Sequence, residues 1–182
     1  MLLAVVSVAG GGTSSKIVPL RDMRDGATTI AKLRARPIRL PHLLHHDGCP
    51  TRAPETVTAG AGSGVRVGPV TAVLGREDGV MSFQQGSSAW ASGKILWLVE
   101  SDQPALLVRG RRLNGRGAVR FRSGSRSGKE LVLDQDATST VGPEWRDQPS
   151  GPRVKAAGCY GLQVDGPEFQ AVIVFRAEVF GA

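Results

Sequence analysis

The chain has 182 residues, which is enough for one domain with a core and some tail but short for two domains. Its 24 glycines, 11 prolines and 5% aromatic residues separate short valine-rich runs, which is typical of an all-β domain and argues against a helical one. The formal net charge is +7 and no run approaches the roughly 18 apolar residues of a membrane span, so the composition favours a non-membrane protein with anionic partners.

Residues 1–12 resemble a clipped export signal. They are apolar from Leu2 to Ala9, and Ser7 and Ala9 are small residues spaced as a signal-peptidase site requires. No Lys or Arg precedes the apolar run, so the other interpretation is an apolar N-terminus without a targeting role. Residues 13–35 mix Gly, Ser and charges, which predicts a flexible lead-in with a short helix over 27–33. The main domain is then expected to cover residues 36–182.

Strand patterns dominate this main domain. Ile38 and Leu40 alternate between prolines, which predicts an edge strand, and residues 51–64 have the composition of a loop. Short strands separated by turn residues are predicted from residue 65 onward, over 65–75, 93–100, 105–113, 118–124, 130–134, 159–164 and 168–179. Trp97 lies in a run that is apolar at every position and is expected to anchor the core. The last hairpin is predicted to turn at Asp165–Pro167.

The two cysteines, Cys49 and Cys159, are 110 positions apart. In an exported protein a single disulfide is the natural interpretation, and the alternative is a pair of buried free thiols. Neither cysteine belongs to a CxxC pair, so a structural zinc site built on them is not expected.

The segment that opens the last hairpin carries a family resemblance. Its residues match, in order, the A-x-G-x-Y-x-[LV]-x-V pattern found in many bacterial immunoglobulin-like domains: Ala156, Gly158, Tyr160, Leu162 and Val164. Blocks such as "GKILWLV" and "EWRDQPS", over residues 93–177, are similar to blocks in uncharacterised bacterial secreted proteins. The resemblance implies an immunoglobulin-like β-sandwich of about seven to nine strands, with an irregular N-terminal segment and a secreted or cell-envelope location. It implies no activity.

The positive charge is concentrated between Gln103 and Lys129, where eight basic residues occur without an Asp or Glu. A turn at Asn114-Gly115 would pair Arg111 with Ala118 and Arg109 with Arg120. Alternation then places one set of side chains inside, Leu106, Val108, Val119 and Phe121, and five arginines outside, Arg109, Arg111, Arg116, Arg120 and Arg122.

Guanidinium groups arranged in this way suit an anionic polymer: a wall polymer, an acidic polysaccharide or nucleic acid. Nucleic acid ranks lower because few aromatic residues lie among the arginines. The sequence thus predicts a secreted or envelope-associated binding module that needs no cofactor. A solvated, solubilising surface explains the same charges, and a purely structural module remains open.

The alternative from another class is a small hydrolase or metal-dependent enzyme. His42, His45 and His46, next to Asp47, are potential zinc or copper ligands, although the flanking prolines and glycine argue against a helix that would align them. The simpler interpretation is a polar loop beside Cys49. The enzyme hypothesis places a site between this stretch, His42 to Asp47, and a loop predicted around Trp145 with its carboxylates. No nucleophile elbow and no phosphate-binding loop is found in the sequence.

Overall fold

The computed structural model describes residues 20–44, 47–57, 62–76, 78–134 and 142–181, with the backbone alone for residues 20–26 and 126. The predicted export signal, residues 13–19 of the lead-in, His45 and His46 lie outside the described residues. The described part contains helix α1 (Leu20–Ala35) and strands β1 (Glu55–Val57), β2 (Gly62–Val67), β3 (Val70–Val73), β4 (Val80–Gln84), β5 (Ala91–Ser92), β6 (Ile95–Glu100), β7 (Leu106–Arg112), β8 (Arg120–Ser123), β9 (Arg126–Gly128), β10 (Glu130–Leu133), β11 (Trp145–Val154), β12 (Gly158–Asp165) and β13 (Gln170–Phe180).

The 13 strands hydrogen-bond in the order β1-β2-β3-β6-β11-β5-β4-β13-β12-β7-β10, and β8 pairs with both β11 and β9. Strand β11 changes partners along its length. Its first half, 145–150, pairs with β6, and its second half pairs with β8 and β5. The sheet therefore folds over on itself at β11 into two facing layers, one built around β6 and the other around β12, as predicted for an all-β sandwich. The described residues form 13 strands, which corrects the predicted seven to nine.

The two layers enclose one apolar cluster. Trp97 on β6 is completely buried, and its Nε1–H donates a 2.9 Å hydrogen bond to Ser150 Oγ. The predicted Trp97 anchor is thereby confirmed. The predicted alternation also holds, since the same cluster contains all four side chains expected to point inward: Leu106, Val108, Val119 and Phe121.

Tyr160, from the segment that opens the last hairpin, is a core residue at the start of β12. Its ring is buried and stacks on Phe175 with 5.7 Å between centroids, while its hydroxyl donates a 2.8 Å hydrogen bond to the carbonyl of Ala156. The hydroxyl thus satisfies a backbone carbonyl four residues upstream while the ring stays in the core.

The N-terminal segment forms a third layer outside β7, β12 and β13. Ile30 and Leu33 of α1 pack on Ala105 and Leu107, which gives the sheet a second, smaller apolar contact. Residues 36–49, here called the strap, then cross the sheet. Leu40 packs with Leu113 and Cys159, and the strap ends at the predicted Cys49–Cys159 disulfide, which is confirmed.

The strap is not the predicted edge strand. Ile38 is exposed and Leu40 is buried, and neither belongs to a strand. The N–H of Arg39 donates to Gln163 Oε1, and Gln163 Nε2 donates to the carbonyl of Pro37. The side-chain amide of Gln163 thus takes the place of backbone hydrogen bonds to a neighbouring strand, because the flanking prolines have no N–H to donate.

Three further local predictions need correction. The helix expected over 27–33 spans Leu20–Ala35, so this part of the lead-in is helical. The loop expected over 51–64 contains β1, which pairs with β2. The last hairpin joins Asp165 to Gln170 through a longer loop, where Gly166 is needed because a Cβ would lie 2.2 Å from the Phe169 ring. Within the described ranges, no helix has the length and apolar character of a membrane span.

Candidate functional site

The arginine-rich hairpin follows the predicted register only at its tip. Arg111 bridges Ala118, and the N–H of Val119 donates to the carbonyl of Gly110. Beyond this point the predicted pairing of Arg109 with Arg120 is wrong. Strand β7 is flanked by β12 and β10, and Arg109 lies opposite Gln163 on one side and Glu130 on the other. Because both edges of β7 are occupied, β8 diverges and pairs with β11 instead.

Arg109 and Arg111 therefore do not belong to an open arginine face. Arg109 is 11% exposed and forms a 2.7 Å ion pair with the fully buried Asp165, while its Nη1 donates to the carbonyl of Arg36 at 2.9 Å. Arg111 donates through Nη2 to the carbonyl of Leu40 at 2.6 Å. Both guanidinium groups hold the strap against the sheet, which the sequence did not indicate because the strap was expected to be an edge strand.

The remaining predicted arginines are accessible. Arg116 is exposed in the turn before β8, and Arg120 and Arg122 are exposed on β8 itself. The directly opposed partner of Arg120 is Arg153 on β11, and the partner of Arg122 is Gly151.

We define the basic face by four cations and one ring, namely Arg120, Arg122, Arg153, Lys155 and Trp90. Arg120 Cζ lies 4.9 Å and Lys155 Nζ 5.3 Å from the centroid of the Trp90 ring. The sequence did not indicate this grouping, because Arg153 reaches β8 only through a strand pairing between distant segments. The nearest signal was the compositional run that ends at Lys129.

No carboxylate of the described residues lies within ion-pair distance of these four cations. Arg153 donates through Nη2 to Ser88 Oγ at 3.0 Å, and its solvent-shielded Nε has no acceptor among the described residues. Two exposed arginines elsewhere on the sheet differ, since Arg66 pairs with Glu100 and Arg176 with Glu178. The basic face thus concentrates uncompensated charge, and like charges directly opposed across a ladder repel one another.

A groove of about 850 Å³ shares Arg122 with the basic face. Its accessible apolar wall comes from Leu96, Pro149 and Phe180, with the buried side chains of Phe83 and Ile95 behind it. The volume lies in the usual range for small-molecule sites.

Three cations, Arg76, Lys94 and Arg122, line the groove, and they are not equivalent. Arg76 donates to Asp78, and this bond raises the pKa of Arg76 and lowers that of Asp78. Arg76 also lies 3.7 Å from Glu178. Lys94 and Arg122, in contrast, have no carboxylate partner among the described residues.

The two stretches of the enzyme hypothesis lie at opposite ends of β7. The strap reaches the far end, where the N–H of Leu43 donates to the carbonyl of Leu113. Arg146, next to Trp145, donates to the carbonyl of Gln103 before β7 begins. A strand of this length separates the two regions by about 20 Å, so the structure does not bring His42 and Trp145 together.

The side chains of these two stretches have other roles. Trp145 packs under Arg66, whose Cζ is 5.4 Å from the ring centroid, and Arg146 also donates to the carbonyl of Asp134, so it pins two loops. His42 and Asp47 are exposed, and the described residues contain no group of three potential metal ligands. Because His45 and His46 lie outside the described residues, a metal site there stays a prediction.

Comparison with known proteins does not show a family for this chain. No protein-family model and no curated protein sequence matches the chain. Among solved structures, the chain is similar to the CooA pilin subunit from enterotoxigenic Escherichia coli, with 11% identity over 63% of this chain and 99% of the pilin. The TM-score of 0.38 does not establish a shared topology.

Proposed function

We propose that this protein is a non-catalytic binding module of an oxidising compartment, secreted or attached to the cell envelope, which binds an anionic polymer through the basic face. The observation that carries the proposal is the opposed pair Arg120–Arg153, flanked by Lys155 and without a carboxylate partner in the described part of the chain.

A polymer fits this arrangement better than a single small anion. Arg120 and Arg122 point the same way about 7 Å apart along β8, and Arg153 adds a second row across the ladder. Repeated charges on one chain can contact both rows at once and relieve the repulsion between them. The planar guanidinium group binds phosphate, sulfate-like and carboxylate oxygens in pairs, so the chemistry suits any of these acidic polymers.

The disulfide supports the proposed compartment. Cys49 and Cys159 are bonded over a separation of 110 residues, and disulfides persist in secreted and periplasmic proteins but are rare in the cytosol. The export signal predicted in residues 1–12 agrees with this location.

The test is retention of the full chain on immobilised heparin. Replacing Arg120 and Arg153 by Ser should lower the eluting salt concentration sharply, because the substitutions remove the two opposed charges. The matched control replaces Arg66 and Arg176 by Ser, which removes the same net charge from positions already paired with Glu100 and Glu178. Equal losses in both variants would show that net charge alone governs retention and would contradict the proposal.

A salt titration with a duplex DNA oligomer measures the number of contacts independently of specificity. Each phosphate contact contributes about 0.9 to the slope of log K against log salt, so loss of two cations from the basic face should reduce that slope by about 2. An unchanged slope would place the contacts elsewhere. Much tighter binding to heparin than to DNA at equal salt would favour an acidic polysaccharide, whereas the reverse would favour nucleic acid.

A further inference from the structure

The groove beside the basic face combines an apolar interior with cations at one side. Phe180 is 48% exposed, one of only three large apolar side chains so exposed in the described residues, and it forms part of the wall. Hydroxyl and amide groups, from Ser82, Gln84, Ser92 and Ser150, supply the other polar surface. Among the described residues, no Asp or Glu lines the groove. A concave apolar surface with a few convergent polar groups is the usual form of a small-molecule site.

The charges define the polar end of a ligand. Arg76 is engaged by Asp78 and Glu178, so it offers little to an additional anion. Lys94 and Arg122 are both exposed and lack such partners within the described ranges. An ammonium and a guanidinium beside an apolar wall complement one compact anionic group attached to a hydrocarbon body.

Small residues let a ligand approach the floor. Gly93 and Gly151 line the groove, and Gly151 faces Arg122 across the ladder. A Cβ on Gly151 would lie 3.6 to 3.7 Å from its nearest neighbours, which is ordinary contact, so a side chain there would occupy groove space without displacing the backbone. A larger residue at Gly151 is therefore a steric probe that leaves every charge in place.

We propose that this groove binds a linear alkyl chain that carries one carboxylate or phosphate head. Lys94 and Arg122 hold the head, and Leu96, Pro149 and Phe180 cover the chain. The proposal does not depend on polymer binding. Arg122 is common to both sites, but Lys94 belongs to the groove alone, and Arg120 and Arg153 belong to the basic face alone.

The binding assay uses the full chain and the fluorescent fatty acid cis-parinaric acid below its micelle concentration. Dodecanoate or dodecyl phosphate should displace it, and the tighter of the two identifies a free fatty acid or a phosphate-headed lipid as the source. Dodecanol should bind at least about tenfold more weakly, since its neutral hydroxyl cannot form an ion pair with Lys94 or Arg122. Each methylene added between octanoate and dodecanoate should increase affinity by up to about fourfold.

Variants then locate the site. Lys94→Ser should weaken dodecanoate binding by about tenfold, whereas Lys155→Ser, which removes a cation from the basic face, should leave it unchanged. Gly151→Leu should abolish binding, and Gly48→Leu, at a glycine with no atom within 4 Å of an added Cβ, should not. Circular dichroism confirms that each variant is folded.

Absence of binding by the unaltered protein, equal affinity for dodecanol and dodecanoate, or full binding by folded Gly151→Leu would each overturn the inference. None of these results alters the heparin prediction, which rests on Arg120 and Arg153. Conversely, loss of heparin retention in the Arg120 and Arg153 double variant should leave binding of cis-parinaric acid intact, so the two proposals fail separately.

Discussion

The ion pair between Arg109 and Asp165 allows a quantitative test of how the strap is held. Asp165 is fully buried and also accepts hydrogen bonds from the side-chain amides of Gln163 and Gln170. Replacing it by Asn removes the charge and keeps the size. Breaking a buried pair typically costs 3 to 5 kcal/mol, because one charge stays buried without compensation.

The structure ranks the two single variants. In Asp165→Asn, Arg109 keeps the backbone carbonyl of Arg36 at 2.9 Å as an acceptor, so we expect a loss near the lower limit, about 3 kcal/mol. In Arg109→Met, the buried carboxylate keeps only neutral amide donors, and we expect about 5 kcal/mol. The double variant Arg109→Met with Asp165→Leu leaves no buried charge unpaired, so it should be more stable than Arg109→Met alone, although Gln163 and Gln170 lose their shared acceptor.

The assay is urea unfolding at neutral pH, followed by tryptophan fluorescence and circular dichroism together, with the slope checked for two-state behaviour. Glu100→Gln is the control, because Glu100 and Arg66 form an exposed pair with side chains 36% and 49% accessible, for which we expect at most about 1 kcal/mol. A loss in Asp165→Asn as small as in this control would refute the reasoning, since the pair would then be behaving as a surface contact.

Two further predictions concern the core. Burial raises the pKa of Tyr160 above its ordinary value of 10.0. Above pH 10.0 the unfolded chain therefore loses this proton while the folded state keeps it. The free energy of unfolding should be unaffected by Tyr160 below pH 10.0 and should fall as the pH rises through the folded pKa. Tyr160 is the only tyrosine, so tyrosinate absorbance measures its titration directly. Tyr160→Phe should be about 1 kcal/mol less stable at neutral pH, but its stability should fall less at alkaline pH. Titration of Tyr160 at the ordinary value would contradict this prediction. Gly110→Ala should lower the free energy of unfolding in urea by about 2 to 3 kcal/mol, because its Cβ would lie 2.6 Å from Leu162 Cδ2 and 2.9 Å from the carbonyl of Gly161. The control Gly151→Ala has ordinary contacts and should change stability by less than about 0.5 kcal/mol. Equal effects of the two substitutions would argue against close packing at Gly110.

Local patterns in the sequence predicted those features that depend on neighbouring residues. Alternation identified the inward side chains of β7 and β8, and an uninterrupted apolar run identified Trp97 as a core residue. Cysteine spacing and the presumed export predicted the bond between Cys49 and Cys159. Each of these inferences needs only a period or a pair of residues.

The errors arose where distant segments compete for the same strand edge. The Arg109–Arg120 register is reasonable for an isolated hairpin. In the structure β10 and β12 occupy both edges of β7, and no local sequence pattern shows that these distant strands pair there instead of β8. Strands β4 and β11, the latter predicted as a loop around Trp145, were missed because their partners are distant in the chain: β4 pairs in parallel with β13, and β11 pairs with β6, β8 and β5. For the same reason, the arginines expected to bind a ligand divide into two groups, one that fastens the strap and one that remains accessible.

The strap also dictates an order of events during biosynthesis. The N–H of Arg39 bonds a side chain 124 positions later, and Cys49 bonds a thiol 110 positions later, so the segment synthesised early cannot reach its final place until most of the domain has emerged. Contacts between such distant positions slow folding, because a long loop must close first. Until Cys159 arrives, Cys49 is available to other thiols and Leu40 to other apolar surfaces. An oxidant can close the disulfide only after Cys159 has emerged.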